Sequence, residues 1–168
     1  ENIKIFECGA TQCYDLSKLD TSEITDMEGL FEYSMFNGDI SNWDVSKVTD
    51  MYRMFAVAYN FNQALNDWNV SNVTDMSGMF RYAKEFNQDI NNWNVSSVTN
   101  MRAMFHLANN FNQPLNNWDV SNVIKMYEMF FSAKSFNQAL DNWNVSKVTN
   151  MNSIFCGTKE FNQNINSW

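Results

Sequence analysis

One unit of 25 residues recurs through most of this chain, and this repeat constrains the fold more than any other feature. It shows as two columns of aromatic residues whose spacing does not slip over five intervals. Phenylalanine stands at Phe36, Phe61, Phe86, Phe111, Phe136 and Phe161. Tryptophan stands at Trp43, Trp68, Trp93, Trp118, Trp143 and Trp168. Fixed periods of this length are typical of solenoids, in which each unit packs only on its neighbours.

One part of each unit has helical spacing. In VTDMSGMFRYA the apolar residues fall on one face of a helix: Val73, Met76, Met79, Phe80 and Ala83. We therefore predict a short helix at about 74–83 and its copies at 25-residue offsets. Thr74 or Ser71 would cap this helix, and Asp75 would lie near the positive end of its dipole.

The other part of each unit, FNQALNDWNV, has no helical spacing. Turn-forming residues surround the apolar Leu65, and this composition predicts a very short strand near 63–66 followed by a bend. Pro114 falls within one copy of this strand, where it would remove a backbone donor from the ladder. Either the strand is shorter than 63–66 in this unit, or the missing donor faces away from a pairing partner.

Elements of this size cannot bury their apolar faces alone, so we predict that the units stack. The predicted fold class is an α/β repeat solenoid, right-handed by the rule for parallel crossovers, with one short strand and one short helix per 25-residue coil. The repeated letters would form internal ladders, among them the Asn of FNQ. The solenoid would span 16–168 as about six repeats, the first degenerate and the last incomplete, after an N-terminal cap segment at 1–15.

Charge and hydropathy exclude several classes of partner. The chain has 168 residues and a formal net charge of −8. Nucleic acids and anionic membrane surfaces are therefore not expected partners, because both need clustered Lys and Arg. No apolar run approaches the roughly 20 residues of a membrane span, so we expect no membrane insertion by this segment.

Three cysteines bear on the cellular compartment. Cys8 and Cys13 lie close together, and we favour a Cys8–Cys13 disulfide, which would fit an extracellular protein, over two free thiols. Cys156 replaces a variable residue of the last repeat. A metal site is least favoured, because His106 is the only histidine of the chain. We expect no metal and no cofactor.

The consensus of the repeat, W-[DN]-V-S-x-V-T-[DN]-M-x-x-M-F-x-x-A-x-x-F-N-Q, closely resembles a 25- to 26-residue bacterial surface-protein repeat. That family is usually placed beside the BspA-like leucine-rich repeats and is common in lipoproteins and wall-anchored proteins. The resemblance covers about residues 14–168, with departures at Ile124, Lys125, Ile154 and Thr158. It implies a leucine-rich-repeat-like interaction protein exposed on a cell surface, and it implies no enzymatic activity.

Comparison of the units separates fixed positions from free ones. On a helix with a buried stripe at 51, 54, 55 and 58, the outward positions are 53, 56 and 57, and these three columns vary most. Their aromatic and Arg residues are of the types that interface hot spots favour. The candidate partner-binding residues are Arg53, Val57, Arg81, Tyr82, His106, Leu107 and Phe131.

Two other interpretations of the free columns remain open. In the first, the residues at solvent-facing positions vary between units because no function constrains them. A partner could also bind the strand face, which is polar and somewhat acidic and suits a basic or glycan partner. Its central positions are Asp39, Ala64, Asp89, Pro114, Ala139 and Asn164.

The sequence gives little support to catalysis or to calcium binding. Catalysis needs a nucleophile, a base and an orienting group in contact, and His106 stands alone. A column of Asp and Asn recurs at 44, 69, 94, 119 and 144, but calcium prefers converging carboxylates and this column is mostly amide. We expect turn-forming side chains there.

We therefore predict a cell-surface interaction or adhesion module that binds a protein or glycan through one solenoid face, without catalysis. The alternative is a structural protein that assembles end to end into a fibre or surface array. It is motivated by the last unit, FNQNINSW, which carries no polar capping residues, because uncapped solenoid ends expose a core. A segment cut from a longer array would look the same.

Overall fold

The computed structural model describes residues 15–168. Residues 1–14, which hold most of the predicted cap segment and the predicted Cys8–Cys13 disulfide, lie outside the described part. Within residues 15–168, helical structure is limited to one 3₁₀ turn, Leu16–Lys18, whose N-cap Asp15 accepts a hydrogen bond from the Ser17 N–H at 3.1 Å. Strand pairing is limited there to isolated parallel bridges between successive units: Asp26–Asp50, Asp50–Asp75, Asp75–Asn100, Asn100–Lys125 and Lys125–Asn150.

The predicted α/β solenoid, with its leucine-rich-repeat-like strand and helix in each coil, is therefore wrong. The described chain has no helix at 74–83 and no strand at 63–66. The bridges fall instead at Asp75 and its equivalents, where we had expected the start of a helix. Right-handedness was inferred from strand–helix crossovers, which the described residues do not contain.

Overlapping turns replace the helix. We call residues 27–34, 51–58, 76–83, 101–108, 126–133 and 151–158 the turn segments. In 76–83, alternate N–H groups close turns within the segment: Met79 to Met76 O, Arg81 to Gly78 O and Ala83 to Phe80 O, at 3.0–3.2 Å. The intervening N–H groups donate to the next unit: Met76 to Asn100 O, Gly78 to Arg102 O, Phe80 to Met104 O and Tyr82 to His106 O, at 2.7–3.0 Å. Every second backbone donor therefore joins neighbouring units.

Left-handed residues prevent each turn segment from continuing as a helix. Two residues in each segment have positive φ, the third and the seventh, and each is the third residue of a turn, as in a type II turn. They are Gly29, Tyr33, Arg53, Val57, Gly78, Tyr82, Ala103, Leu107, Glu128, Ser132, Ser153 and Gly157. Overlapping turns return to the same side every three or four residues, so their apolar residues have the spacing of a helix.

The units stack through continuous aromatic columns, as predicted. Phe31, Phe55, Phe80, Phe105, Phe130 and Phe155 form one column with successive ring centroids 5.3–5.8 Å apart and nearly parallel planes. Tryptophan forms a second column, in which each indole N–H donates to a carbonyl of the preceding unit, such as Trp93 Nε1 to Leu65 O at 2.9 Å. The core is therefore one continuous body rather than a set of separate clusters.

The predicted asparagine ladder is also present. The Oδ1 of Asn87 accepts from the N–H of Asn112 at 2.9 Å and from the side-chain amide of Gln113 at 3.1 Å. The same two bonds recur in all the remaining pairs of consecutive units from Asn37 onward. In this part of each unit, asparagine side chains make the hydrogen bonds between units that a strand backbone would make in the predicted fold. Pro114 is accommodated because its column makes no backbone ladder bond in the equivalent units.

The recurrent Asp and Asn column forms turns, as predicted. Asn69 Oδ1 accepts from the N–H of Ser71 at 3.2 Å, and the equivalent Asp44, Asn94, Asp119 and Asn144 accept in the same way. Among residues 15–168, no group of three or more His, Cys, Asp or Glu side chains is arranged to hold a metal ion.

Candidate functional site

All three arginines of the chain surround one cavity. The cavity lies on the stacked turn segments and has a volume of about 140 Å³. Its walls come from four successive units and are formed by Tyr52, Arg53, Ser77, Gly78, Arg81, Arg102, Ala103 and Glu128. Three guanidinium groups around one space are unusual in a chain with 19 acidic residues, and they make this cavity the candidate binding site.

The backbone of the turn segments brings these residues together. Arg53 and Ala103 occupy the left-handed third position of their segments, and so does Gly78 between them. A Cβ atom on Gly78 would lie 3.2 Å from Cγ of Arg53, so the glycine leaves room for the arginine stem that crosses it. Gly78 therefore contributes backbone to the cavity wall without a side chain that would crowd Arg53.

Each guanidinium group lies near a tyrosine ring. The Cζ atom of Arg81 is 4.9 Å from the ring centroid of Tyr82, and that of Arg102 is 4.9 Å from the centroid of Tyr127. Arg53 lies at 5.8 Å from the centroid of Tyr52. A guanidinium held over an aromatic face keeps its N–H edges free, because these donors lie in the plane of the group.

The arginines differ in their ion pairs. Arg53 is paired with Glu32, and both side chains are mostly buried. Arg81 and Arg102 form no ion pair with any residue in 15–168. Two of the three cations therefore face the cavity without a carboxylate partner in the described chain.

His106 and Glu128 adjoin the cavity. The His106 Nδ1 lies 3.4 Å from Glu128 Oε2 but is not aligned for a hydrogen bond. Burial lowers the pKa of His106, the positive charge of Arg81 lowers it further, and the carboxylate of Glu128 only partly opposes both. His106 is therefore neutral at pH 7.

An aromatic stack extends from the cavity along the same face. The ring of His106 stacks on Phe131 with centroids 4.8 Å apart, and Tyr82 lies 5.6 Å from His106 on the other side. Of the seven predicted partner-binding residues, the structure joins Arg53 and Arg81 at the cavity and Tyr82, His106 and Phe131 in this stack. Val57 and Leu107 lie in the same turn segments without touching the cavity.

The predicted outward positions are less exposed than a helix would make them. Ala56, Ala103 and His106 are buried, because each turn segment packs directly on the next. The residues of the predicted strand face, at 39, 64, 89, 114, 139 and 164, are exposed, although no strand forms there. The candidate site thus lies on the turn segments, but with a different set of accessible atoms.

Sequence reasoning missed Arg102, Tyr52 and Tyr127. The three arginines fall at the third, sixth and second positions of successive turn segments, so column-by-column comparison separates them. The available signal was that every arginine of the chain lies within three consecutive units.

These features define a repeat protein of stacked turns. The chain matches the family described as "Mycoplasma protein of unknown function, DUF285" over residues 3–106 and again over residues 85–168. Together the two matches span nearly the whole chain, and the chain belongs to this family. No curated protein and no solved structure matches it. This match supports a repeat family of the predicted kind, but it does not show the BspA-like group in particular.

A separate observation concerns membranes. In the part of the chain that the structure describes, no helix has the length and apolar character required to cross a bilayer.

Proposed function

We propose that this chain is a non-catalytic interaction module of a cell surface that binds its partner through the turn segments around the arginine cavity. One observation carries the proposal. The repeated residues are used in the core, the aromatic columns and the side-chain ladders, whereas the residues at the cavity and in its aromatic stack differ from one unit to the next. Residues that differ between units distinguish this part of the repeated surface from the rest, and a specific binding site requires such a difference.

The residue types at this place support binding. Arg and Tyr are enriched among the residues that dominate interface energies. The tyrosine rings also hold the guanidinium groups in place, which lowers the conformational entropy lost on binding. The arrangement is thus partly preorganised for a partner.

Binding to panels of purified extracellular proteins and of glycans would test the proposal. The intact chain is compared with the double variant Tyr82→Ala/Phe131→Ala, which shortens the aromatic stack, and with Asp39→Asn/Asp89→Asn on the other exposed face. The Asn variant is a matched control because it keeps the acceptors for Ser41 and Asn91 N–H.

We expect the stack variant to lose the partner and the Asn variant to keep it, with both variants still folded at the temperature of the assay. Loss of binding only in the Asn variant would place the site on the exposed surface that carries Asp39 and Asp89. A chain that binds no member of either panel would contradict the proposal.

The proposed location has its own test. An antibody raised against the chain should label intact cells, and protease added outside should remove that label. Labelling only after the cells are opened would contradict a surface location.

A further inference from the structure

We propose that the arginine cavity binds one carboxylate group presented by a peptide of the partner, as an Asp or Glu side chain or as a free C-terminus. This inference rests on the proposed function and names the chemistry that the same site recognises. Nothing in the family description assigns a ligand to these residues.

Charge within the cavity supports a ligand with a single negative charge. Three arginines line the cavity, against the carboxylate of Glu128 in its wall and that of Glu32, which pairs with Arg53. His106 adds no charge while it is neutral. One positive charge is left uncompensated. A carboxylate would neutralise it, whereas a phosphate group would introduce a second negative charge without a partner.

Charge outside the cavity argues against polyanions. The chain as a whole carries a formal net charge of −8, and its arginines are confined to this one place. A nucleic acid or a sulfated polysaccharide would bring many negative charges against acidic surroundings. An isolated carboxylate on a neutral or basic peptide meets only the local positive charge.

Donor geometry supports a planar acceptor. The guanidinium groups of Arg81 and Arg102 have no carboxylate partner among the described residues and are oriented by the rings of Tyr82 and Tyr127. Guanidinium donors form a rigid fork that matches a carboxylate in bidentate geometry. Arg53, which also lines the cavity, is paired with Glu32.

The size and walls of the cavity favour a peptide side chain over a sugar. A cavity of about 140 Å³ has room for a carboxylate on a short apolar stem. The tyrosine faces nearest the cavity are covered by guanidinium groups, so they offer no open platform for a sugar ring.

Calorimetric titration of the chain with small probes tests this inference. The probes are acetyl-Ala-Glu-Ala-amide, the neutral acetyl-Ala-Gln-Ala-amide, acetyl-Ala-Ala-Ala with a free C-terminus, and inorganic phosphate. The protein variants are Arg81→Gln, Arg102→Gln and, as a matched control outside the cavity, Lys47→Gln. Circular dichroism establishes that each variant is folded.

We expect saturable binding of at least one carboxylate peptide at one site per chain and no measurable binding of the glutamine peptide. Each arginine variant should weaken binding about tenfold or more, since charge-assisted hydrogen bonds are lost, and Lys47→Gln should leave it unchanged. The two carboxylate peptides distinguish a side chain from a chain terminus as the source.

Equal binding of the glutamine and glutamate peptides would overturn the inference, as would tighter binding of phosphate or unchanged affinity in Arg81→Gln. Its failure is distinguishable from failure of the proposed function. If a panel partner depends on Tyr82 and Phe131 while no carboxylate probe binds, the interaction module stands and only the ligand class is wrong.

Discussion

Asp26, Asp50 and Asp75 follow one another in the column of parallel bridges, one carboxylate per unit. Burial raises the pKa of Asp50, and the neighbouring charges of Asp75 and Asp26 raise it further, against the lowering effect of the hydrogen bond from Tyr52 N–H. In the next unit the column changes to Asn100, whose amide donates to Asp75 Oδ2 at 2.8 Å. Asparagine at position 100 therefore fits this column better than a fourth adjacent carboxylate would.

We predict that Asp50→Asn stabilises the chain at pH 7 by about 0.5–1 kcal/mol, a value reduced by solvent screening at this half-buried site. The new side chain would still accept from Tyr52 N–H, as Asn100 accepts from Arg102 N–H, and would no longer repel Asp26. Urea unfolding at pH 7 and pH 4 measures the effect.

The sign of the pH dependence follows from the raised pKa. Asp50 supports folding fully below its unfolded value of 3.8, and this contribution is lost as the pH rises through its folded pKa. The advantage of Asp50→Asn should therefore shrink toward pH 4. Asp44→Asn is the matched control: the Ser46 hydroxyl and then the Ser46 N–H lower the pKa of Asp44, so removing its charge should bring no gain. A less stable Asp50→Asn variant at pH 7 would contradict the prediction.

At the scale of the element, the turn segment depends on left-handed residues. Gly29, Gly78 and Gly157 adopt positive φ without steric cost, whereas the other nine left-handed positions hold residues with side chains. Each such residue stores strain that stacking on the neighbouring unit offsets. The element is therefore stable only within the array.

We predict that Ala103→Gly stabilises the chain by about 0.5–1 kcal/mol, because relief of the left-handed conformation exceeds the added entropy of glycine in the unfolded state. Gly78→Ala is the reverse test and should destabilise by about 1 kcal/mol or more, since it adds both the strain and a contact with Arg53. Thermal unfolding of the two variants measures both. Opposite signs to these would show that the turns are not left-handed at this position.

The asparagine ladder yields a third prediction. Asn87→Ala removes the acceptor for Asn112 N–H and for the Gln113 amide, and should cost about 1–3 kcal/mol. Asn87→Asp keeps the acceptor oxygens and should cost less. Chemical denaturation of both variants tests this order, and an alanine variant as stable as the parent would contradict a structural role for the ladder.

The sequence predicts the columns but not the elements that carry them. Phe80, Met76 and Met79 are buried as expected, because any backbone that returns every three or four residues buries them. Helix and overlapping turns share that spacing, so periodicity cannot separate them. Gly78 and Gly157 were evidence in the sequence against a helix, because glycine destabilises a helix interior.

The candidate site was predictable only in part, for a related reason. Arg53 and Arg81 were assigned to one face from their columns. Arg102 was not, because its contact with them depends on how far each turn segment is offset from the next, and only the structure gives that offset.

At the scale of the whole molecule, backbone bonding between units replaces helices and sheets. Each unit donates alternate N–H groups to the next, and aromatic columns run through units that cannot bury their faces alone. Stability should then depend on interactions between nearest neighbours along the stack.

A spectroscopic prediction follows from this architecture. The far-ultraviolet circular dichroism of the folded chain should lack the helical double minimum, although thermal unfolding should be cooperative. A strong helical signal would instead support the strand-and-helix coil that the hydrophobic spacing first predicts.

Nuclear magnetic resonance of the arginine side chains tests most directly whether the stacked turns bring three arginines to one carboxylate site. A chain with three arginines gives three Nε–H signals, which can be followed during separate titrations with acetyl-Ala-Glu-Ala-amide and with acetyl-Ala-Ala-Ala that has a free C-terminus. We predict that the signals of Arg53, Arg81 and Arg102 shift together with one midpoint and stay unchanged with the glutamine peptide. Independent midpoints, or no shift with either carboxylate peptide, would show that the three arginines do not form one site.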